Sequence, residues 1–242
     1  MPILVLAATA RELSVALGQR ADQPQGAVVP ARAFGREVLA CVSGLGIINA
    51  SLALGAALAR GDVDGVVCLG VAGSFDLSAH PVGSVRLVDR EVWPEYGLLA
   101  TGWCSADAAA LGFALGQAPG PDKETTLWDS VAWDASAALA RLGLCPGPWV
   151  TAKSLTVSGV TADAKRAGLL FERHQAGLEN MEGFALAYGC AVAGLPASLP
   201  FIELRAVSNA VGARPPVSWD LPGALAALGQ AAERLFEPGS GN

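Results

Sequence analysis

Short apolar runs recur along the chain, several of them closed by glycine-rich turns and followed by alanine-rich stretches of helical length. That alternation admits few architectures. It is the pattern of an α/β fold, in which strands gather into one sheet and helices cover its faces. Residues 3–7 form the first such strand. Residues 36–42 form another, which stops at Ser43-Gly44-Leu45-Gly46; residues 47–60 are then apolar all round and are expected as a buried helix. Residues 65–69 are an interior strand ending in an expected turn, Gly70-Val71-Ala72-Gly73-Ser74. Residues 84–92 alternate enough for a strand with one wetter face, and residues 98–103 are expected to pair with it. The stretch from 105 to 133 mixes Gly, Pro and charge around a weak helical middle and is expected as a surface insertion. Beyond it come a strand (149–157), an amphipathic helix (162–173), a compact helix (182–193), an interior strand (201–207) and a closing helix (222–235). With no internal repeat and no linker-like stretch, the expectation is one domain over residues 1–242, a central mixed sheet flanked by helices.

Hydrophobic residues make up 52% of the 242 and charged ones 16%, so a large core is available and disorder is excluded as the main state. A net charge of −6 gives no electrostatic pull toward nucleic acid or anionic lipid. Two uncharged runs, 38–59 and 183–202, are long enough to cross a bilayer. Neither is expected to do so, because Ser43, Gly44, Gly46, Asn49 and Ser51 interrupt the first, Pro196 and Pro200 break the second, and no Lys/Arg clusters flank them. The first residues carry no basic leader and soon meet Arg11-Glu12, so a cytoplasmic protein is expected. Five scattered cysteines (Cys41, Cys68, Cys104, Cys145, Cys190) suit reduced thiols. His80 and His174 are expected on the surface or in loops, and no metal or organic cofactor is implied.

Ser43-Gly44-Leu45-Gly46-Ile47-Ile48-Asn49 lacks the third glycine of a dinucleotide fingerprint, and no acidic residue closes a strand at the required distance. An ordered set of segments is more specific: Ala8-Thr9-Ala10-Arg11-Glu12, then Ser43 to Ala50, then Leu69-Gly70-Val71-Ala72-Gly73, then Glu179-Asn180-Met181-Glu182-Gly183, then Arg205-Ala206-Val207-Ser208-Asn209. This set resembles the nucleoside phosphorylase and nucleosidase superfamily over nearly the whole chain. Ser208-Asn209, Val211-Gly212-Ala213-Arg214 and the run from Leu69 to Phe75 are most similar to the futalosine hydrolases. The resemblance implies a nucleoside phosphorylase-like fold, release of hypoxanthine from futalosine in the alternative menaquinone route, and a homodimer or larger homo-oligomer. The alternatives are a methylthioadenosine/adenosylhomocysteine nucleosidase, against which Asn209 and Val71 speak, and a non-catalytic nucleoside-binding protein of the same fold, against which Glu12 and Glu182 speak.

Cleaving a purine N-glycosidic bond develops a ribosyl cation, so a site needs groups that fix the sugar, activate water and stabilise the departing base. The resemblance gives Glu182 the ribose hydroxyls, with Met181 lining the sugar; a helix-start glutamate favoured by the macrodipole is the other reading. It gives Glu12 the attacking water, where the other reading is a surface residue beside Arg11. Asn209 stands where adenine-cleaving relatives carry an aspartate that protonates N7. Its amide donates N–H bonds, which suits N7 and O6 of a 6-oxopurine and clashes with a 6-amino group; a structural asparagine at the strand end is the alternative. Val71 replaces a serine, so the resemblance carries over only the backbone of Ala72 and Gly73. Gly159 and Val160 would offer backbone groups to the base edge. Arg214 is a candidate for the substrate's benzoate or else a solvated loop residue, and Trp93 and Tyr96 are expected to cover the core. No arginine closely precedes Gly70, which favours water over phosphate as nucleophile.

Overall fold

The computed structural model describes residues 2–99, 107–119, 124–193, 198–213 and 219–237. In chain order its elements are β1 (Ile3–Ala7), α1 (Ala10–Leu17), β2 (Val28–Ala33), β3 (Arg36–Val42), α2 (Ile47–Leu58), β4 (Gly65–Ser74), β5 (Val85–Val92), β6 (Gly116–Ala118), β7 (Thr125–Leu127), β8 (Ser130–Ala132), α3 (Ala135–Leu142), β9 (Thr151–Thr156), α4 (Ala164–His174), β10 (Leu178–Asn180), α5 (Gly183–Ala193), β11 (Phe201–Ala210) and α6 (Leu221–Phe236). The strands lie in the order β10-β9-β5-β11-β4-β1-β3-β2, with β8 on β5, and β10 returns to pair with β4. Thus β4, β11, β5, β9 and β10 close on themselves, and β1, β3 and β2 extend from that ring. Central parallel strands are covered on both faces and are largely apolar: Val66, Val67, Leu69, Ile202, Leu204 and Ala206 are all 0% exposed, and β11 adds the buried Glu203 and Arg205. One core forms where α1, α3 and α6 meet the sheet through Leu13, Leu139 and Leu228. A second forms where α2 and α5 meet it through Leu54 and Leu186.

The strand β4 changes partner half-way. Gly65 to Cys68 pair with β1 in parallel, whereas Gly73 and Ser74 pair with β10 in the antiparallel sense. On its other side β11 accompanies it from Val66 to Ser74, with a bulge between Val207 and Asn209. The glycine-rich segment 70–74 is therefore strand, not the expected turn, and β11 runs on through Ser208 and Asn209. The structure also corrects the expectation of a fully buried helix at 47–60. Helix α2 buries Ala50, Ala53, Leu54 and Ala57 but leaves Ile48 76% and Leu52 68% exposed. Residues 98–103 fall mostly outside the described residues, and the short strand lying antiparallel to the end of β5 is β8. In place of a weak helix, the described part of the 105–133 stretch holds one 3-10 turn (Ala109–Leu111), the β6–β7 hairpin and β8. Of the cysteines, Cys41, Cys68, Cys145 and Cys190 are free, and Cys104 lies outside the described residues. No helix among the described residues is long and apolar enough to cross a membrane.

His174, expected at the surface, is buried at the end of α4, and its Nε2 has no partner among the described residues. Burial, with help from Lys153 and Arg173, pushes its pKa down to about 4, from an ordinary 6.5. Above 6.5 the imidazole is neutral in folded and unfolded chains alike. As pH falls from 6.5 toward 4 only the unfolded chain takes up the proton, so stability is lost across that window. Urea unfolding midpoints recorded at both ends of the window should fall less in His174→Gln than in the wild type; equal losses would locate the acid sensitivity elsewhere.

Candidate active site

Where β4 exchanges β1 for β10, the Val71 N–H finds no strand on that side, and Glu12 Oε1 accepts from it at 3.1 Å. A buried main-chain donor needs such a partner. Glu12 is held there by the start of α1. Thr9 caps the helix, accepting from the Glu12 N–H at 3.2 Å, while Glu12 Oε2 accepts from the Thr9 N–H at 3.1 Å and from Thr9 Oγ1 at 2.7 Å. This capping box explains why a glutamate sits at the third helical position. Glu12 is 7% exposed, so the surface reading of this residue is excluded. A β-carbon at Gly70 would sit 2.6 Å from Arg205 Nη1 and 3.2 Å from Glu12 Oε1. Glycine is required here because the guanidinium and the carboxylate both close over the strand.

Glu182 lies just ahead of α5 and is 4% exposed. Its Oε1 accepts from the Gly46 N–H at 3.0 Å, in the turn before α2, and its Oε2 faces Arg205 Nη1 at 3.4 Å. Asn180 builds the turn that presents it, its Oδ1 accepting from the N–H groups of Glu182 (2.9 Å) and Gly183 (2.7 Å) and from Arg205 Nη2 (3.2 Å). Arg205 is thus the group between the two candidate carboxylates. Its Nε donates to Glu203 Oε1 at 2.8 Å, and Glu203 in turn neighbours Glu91. Burial opposes the arginine's charge, yet Cys68, Glu203 and Glu182 around it hold its pKa above the ordinary value. Burial also lifts Glu91 well above the usual carboxylate range, reinforced by the charge of Glu203, and lifts Glu203 despite Arg205.

Asn209 is 7% exposed and lies in register with Gly73. Ser208 Oγ donates to its Oδ1 at 2.8 Å, and its Nδ2 donates to the Ala210 carbonyl at 2.9 Å. Ser208 thereby fixes the amide oxygen inward and leaves one N–H of Nδ2 available. Ala72 and Gly73 lie on β4, the Ala72 carbonyl 3.3 Å from Ser208 Oγ. Gly159 and Val160 are exposed and lead into Thr161, whose N–H donates to Glu179 Oε1 at 3.0 Å; Glu179 pairs with Gly73, which ties that loop to the end of β4. Met181 is half-buried between Asn180 and Glu182. Arg214 lies outside the described residues. Trp93 stacks on Tyr96 at 5.6 Å and tilts against Phe184 at 5.9 Å, joining the core as expected. Glu12, Glu182, Asn209, Ala72 and Gly73 are thus gathered by β4 and its neighbours. Two residues without an assigned role in the sequence reading, Arg205 and Asn180, hold Glu182 in place, and Arg205 also reaches the Val71 carbonyl on β4. A charged pair at 203 and 205 inside an apolar strand, on one face by its spacing of two, was the available signal.

The model of the phosphorylase superfamily matches residues 2–237. A futalosine hydrolase of Thermus thermophilus is 34% identical over 80% of this chain and 79% of its own length. A futalosine hydrolase of Streptomyces coelicolor is 37% identical over 71% of this chain and 65% of its own length. Among solved structures, the 5'-methylthioadenosine/S-adenosylhomocysteine nucleosidase of Helicobacter pylori with butyl-thio-DADMe-Immucillin-A superposes with a TM-score of 0.70 at 17% identity, over 96% of this chain and 97% of that one, a likeness of fold. The chain belongs to the phosphorylase superfamily and, within it, to the futalosine hydrolase family.

Proposed function

We propose that this chain hydrolyses the N-glycosidic bond of futalosine, releasing hypoxanthine and dehypoxanthinyl futalosine in menaquinone biosynthesis. The observation that carries the reading is the placing of Glu12 and Arg205 over Gly70, with Glu182 on Arg205 and Asn209 further along the strand of Arg205, in a chain whose relatives include futalosine hydrolases. An ionised carboxylate has about four acceptor positions. Three of Glu12's are taken by Val71 and Thr9. The remaining one takes a proton from the attacking water. Among the described residues each oxygen of Glu182 has a single partner at hydrogen-bond distance, so each keeps a position for one ribose hydroxyl. Negative charge from both carboxylates stabilises the ribosyl cation as the bond to the base lengthens. One N–H of Asn209 is spent on the Ala210 carbonyl, so the remaining one is shared between N7 and O6 of the departing purine, and Ala72, Gly73, Gly159, Val160 and Met181 line sugar and base, with Arg214 as the partner of the benzoate.

A homo-oligomer belongs to this reading. Leu45 (60% exposed), in the turn ahead of α2, and Ile48 and Leu52 on the helix form an apolar ridge beside Gly46, which touches Glu182, so a second copy seated there borders the site. Sedimentation of the purified chain as a monomer would remove this part. The buried, unpaired Cys41, Cys68 and Cys190 support a reducing, cytoplasmic location, and one domain over residues 1–242 is retained.

Hypoxanthine release from futalosine, followed without phosphate, should fall by about 10²–10⁴-fold in kcat for Glu12→Gln. Full activity in that variant, or a requirement for phosphate, takes the water-activating role from Glu12. The base preference is tested by kcat/KM for futalosine against its 6-amino analogue. Wild type should favour the 6-oxo substrate, and Asn209→Asp should move the ratio toward the 6-amino one, because a protonated carboxyl donates to N7 while its other oxygen accepts from the amino group. The mismatch is worth about 1–3 kcal/mol. An unchanged ratio places Asn209 outside base recognition, and a wild type that prefers the amino substrate favours an adenine-cleaving nucleosidase.

A further inference from the structure

Beneath the pocket lie two carboxyl side chains that the hydrolysis leaves unused. Glu91 on β5 and Glu203 on β11 are both 0% exposed. A β-carbon at Gly183 would lie no more than 2.5 Å from an oxygen of each, so both carboxyl groups crowd one point under the start of α5. Glu91 is anchored by Thr156 Oγ1 at 2.7 Å and Asn180 Nδ2 at 2.6 Å. Glu203 Oε1 takes the Arg205 Nε–H, while Glu203 Oε2 is buried with no donor among the described residues. Two carboxylates in contact inside a dry interior do not both ionise.

We propose that Glu91 and Glu203 form a carboxyl pair that holds one proton between them, and that the single negative charge of the pair positions Arg205 between Glu12 and Glu182. The charged and titratable groups facing the pair are Arg205, on the same strand as Glu203, Glu182 ahead of α5 and Cys68 on β4; Glu12 on α1 reaches only as far as Cys68. Among the described residues, β9 and β10 contribute the neutral Ser154, Thr156 and Asn180. Without the shared proton, the carboxylates of Glu91, Glu203 and Glu182 would all face one guanidinium; with it, the pair supplies a single anion. The shorter contact of Arg205 is to Glu203, 2.8 Å against 3.4 Å to Glu182. Glu203 therefore anchors the guanidinium from below, and Glu182 is left to its ligand. Asn180 couples the two levels, donating to Glu91 while accepting from Arg205 and from the backbone that carries Glu182. Glu91 and Glu203 are positioning residues that act through Arg205.

The role of the pair rests on the hydrolysis proposed above, whereas the shared proton does not, and the test separates the two. Infrared difference spectra of the full chain at neutral pH should show the C=O stretch of a protonated carboxyl in the wild type, absent from Glu91→Gln. Substituting Glu91→Gln alone leaves the anion on Glu203, so the acid limb of the kcat/KM profile for futalosine should stay in place. The double variant E91Q/E203Q keeps side-chain shape but deletes the anion, and removing a buried negative charge favours the ionised form of any acid nearby. Its acid limb should move to lower pH, and kcat should fall by about 10²-fold with a smaller change in KM. A wild type without the protonated-carboxyl band, or a double variant that lowers kcat with its acid limb unmoved, overturns the proposal. If the double variant does not fold, the two spectra decide. If the chain proves inactive on futalosine, the spectra still decide the proton, so the two failures are distinguishable.

Discussion

A parallel strand inside a sheet normally spends every main-chain N–H on its neighbours. In β4 the exchange of β1 for β10 leaves a stretch between Cys68 and Gly73 unpaired on one side, and the Val71 N–H within it must be satisfied. Glu12 does so. One carboxylate is thereby drawn out of the first turn of a helix and over the middle of the sheet, to where Glu182 arrives from the opposite helix layer. The pocket follows from a topological fact, the closing of five strands into a ring. It is a version of a general rule, that α/β sheets bind ligands where strand connectivity changes direction.

Bringing carboxylates together has an electrostatic cost that the fold meets with one buried cation. Arg205, 2% exposed, touches Glu203, Glu182, Asn180 and the Val71 carbonyl. Such a cluster is a poor source of stability, since desolvating each charge costs several kcal/mol that attraction only partly offsets. Its value is directional. The guanidinium's planar donors accept only a narrow set of positions for the groups around them, which fixes the carboxylates before a substrate arrives. The same logic accounts for the glycine at 70, whose missing side chain is the space that Arg205 and Glu12 occupy.

Most interior strands and helices were legible because their residues are buried on both faces or on a helical stripe: β1, β3, α4, α5 and α6 lie within two residues of where apolar patterning places them. What escaped depends on distant partners. Segment 70–74 has the composition of a turn, and only the presence of β11 and β10 on either side makes it strand. Strand β10 is three residues long and has no periodicity to detect. Helix α2 looked buried since alanine and leucine surround it, but the described fold covers only one of its faces. At the site, Glu12, Glu182 and Asn209 were visible as polar residues at motif positions. Asn180 was visible only as a letter, and Arg205 only through its spacing of two from Glu203 in an apolar strand, because their importance lies in what they touch from across the sheet. Glu91 and Glu203 were likewise hidden, an ordinary charge on each of two strands until the structure puts them side by side.

Glu12 serves its helix and its sheet with the same carboxylate, Oε2 closing the first turn of α1 and Oε1 closing the gap in β4. No rotamer change is needed to arm it, and none is available without undoing the cap. On the role proposed for Glu12, activity at this position depends on local order, since fraying the first turn of α1 undoes the cap that holds the carboxylate against the Val71 N–H. Turnover would then report the fraction of molecules in which that turn is wound, a finer quantity than the fraction folded.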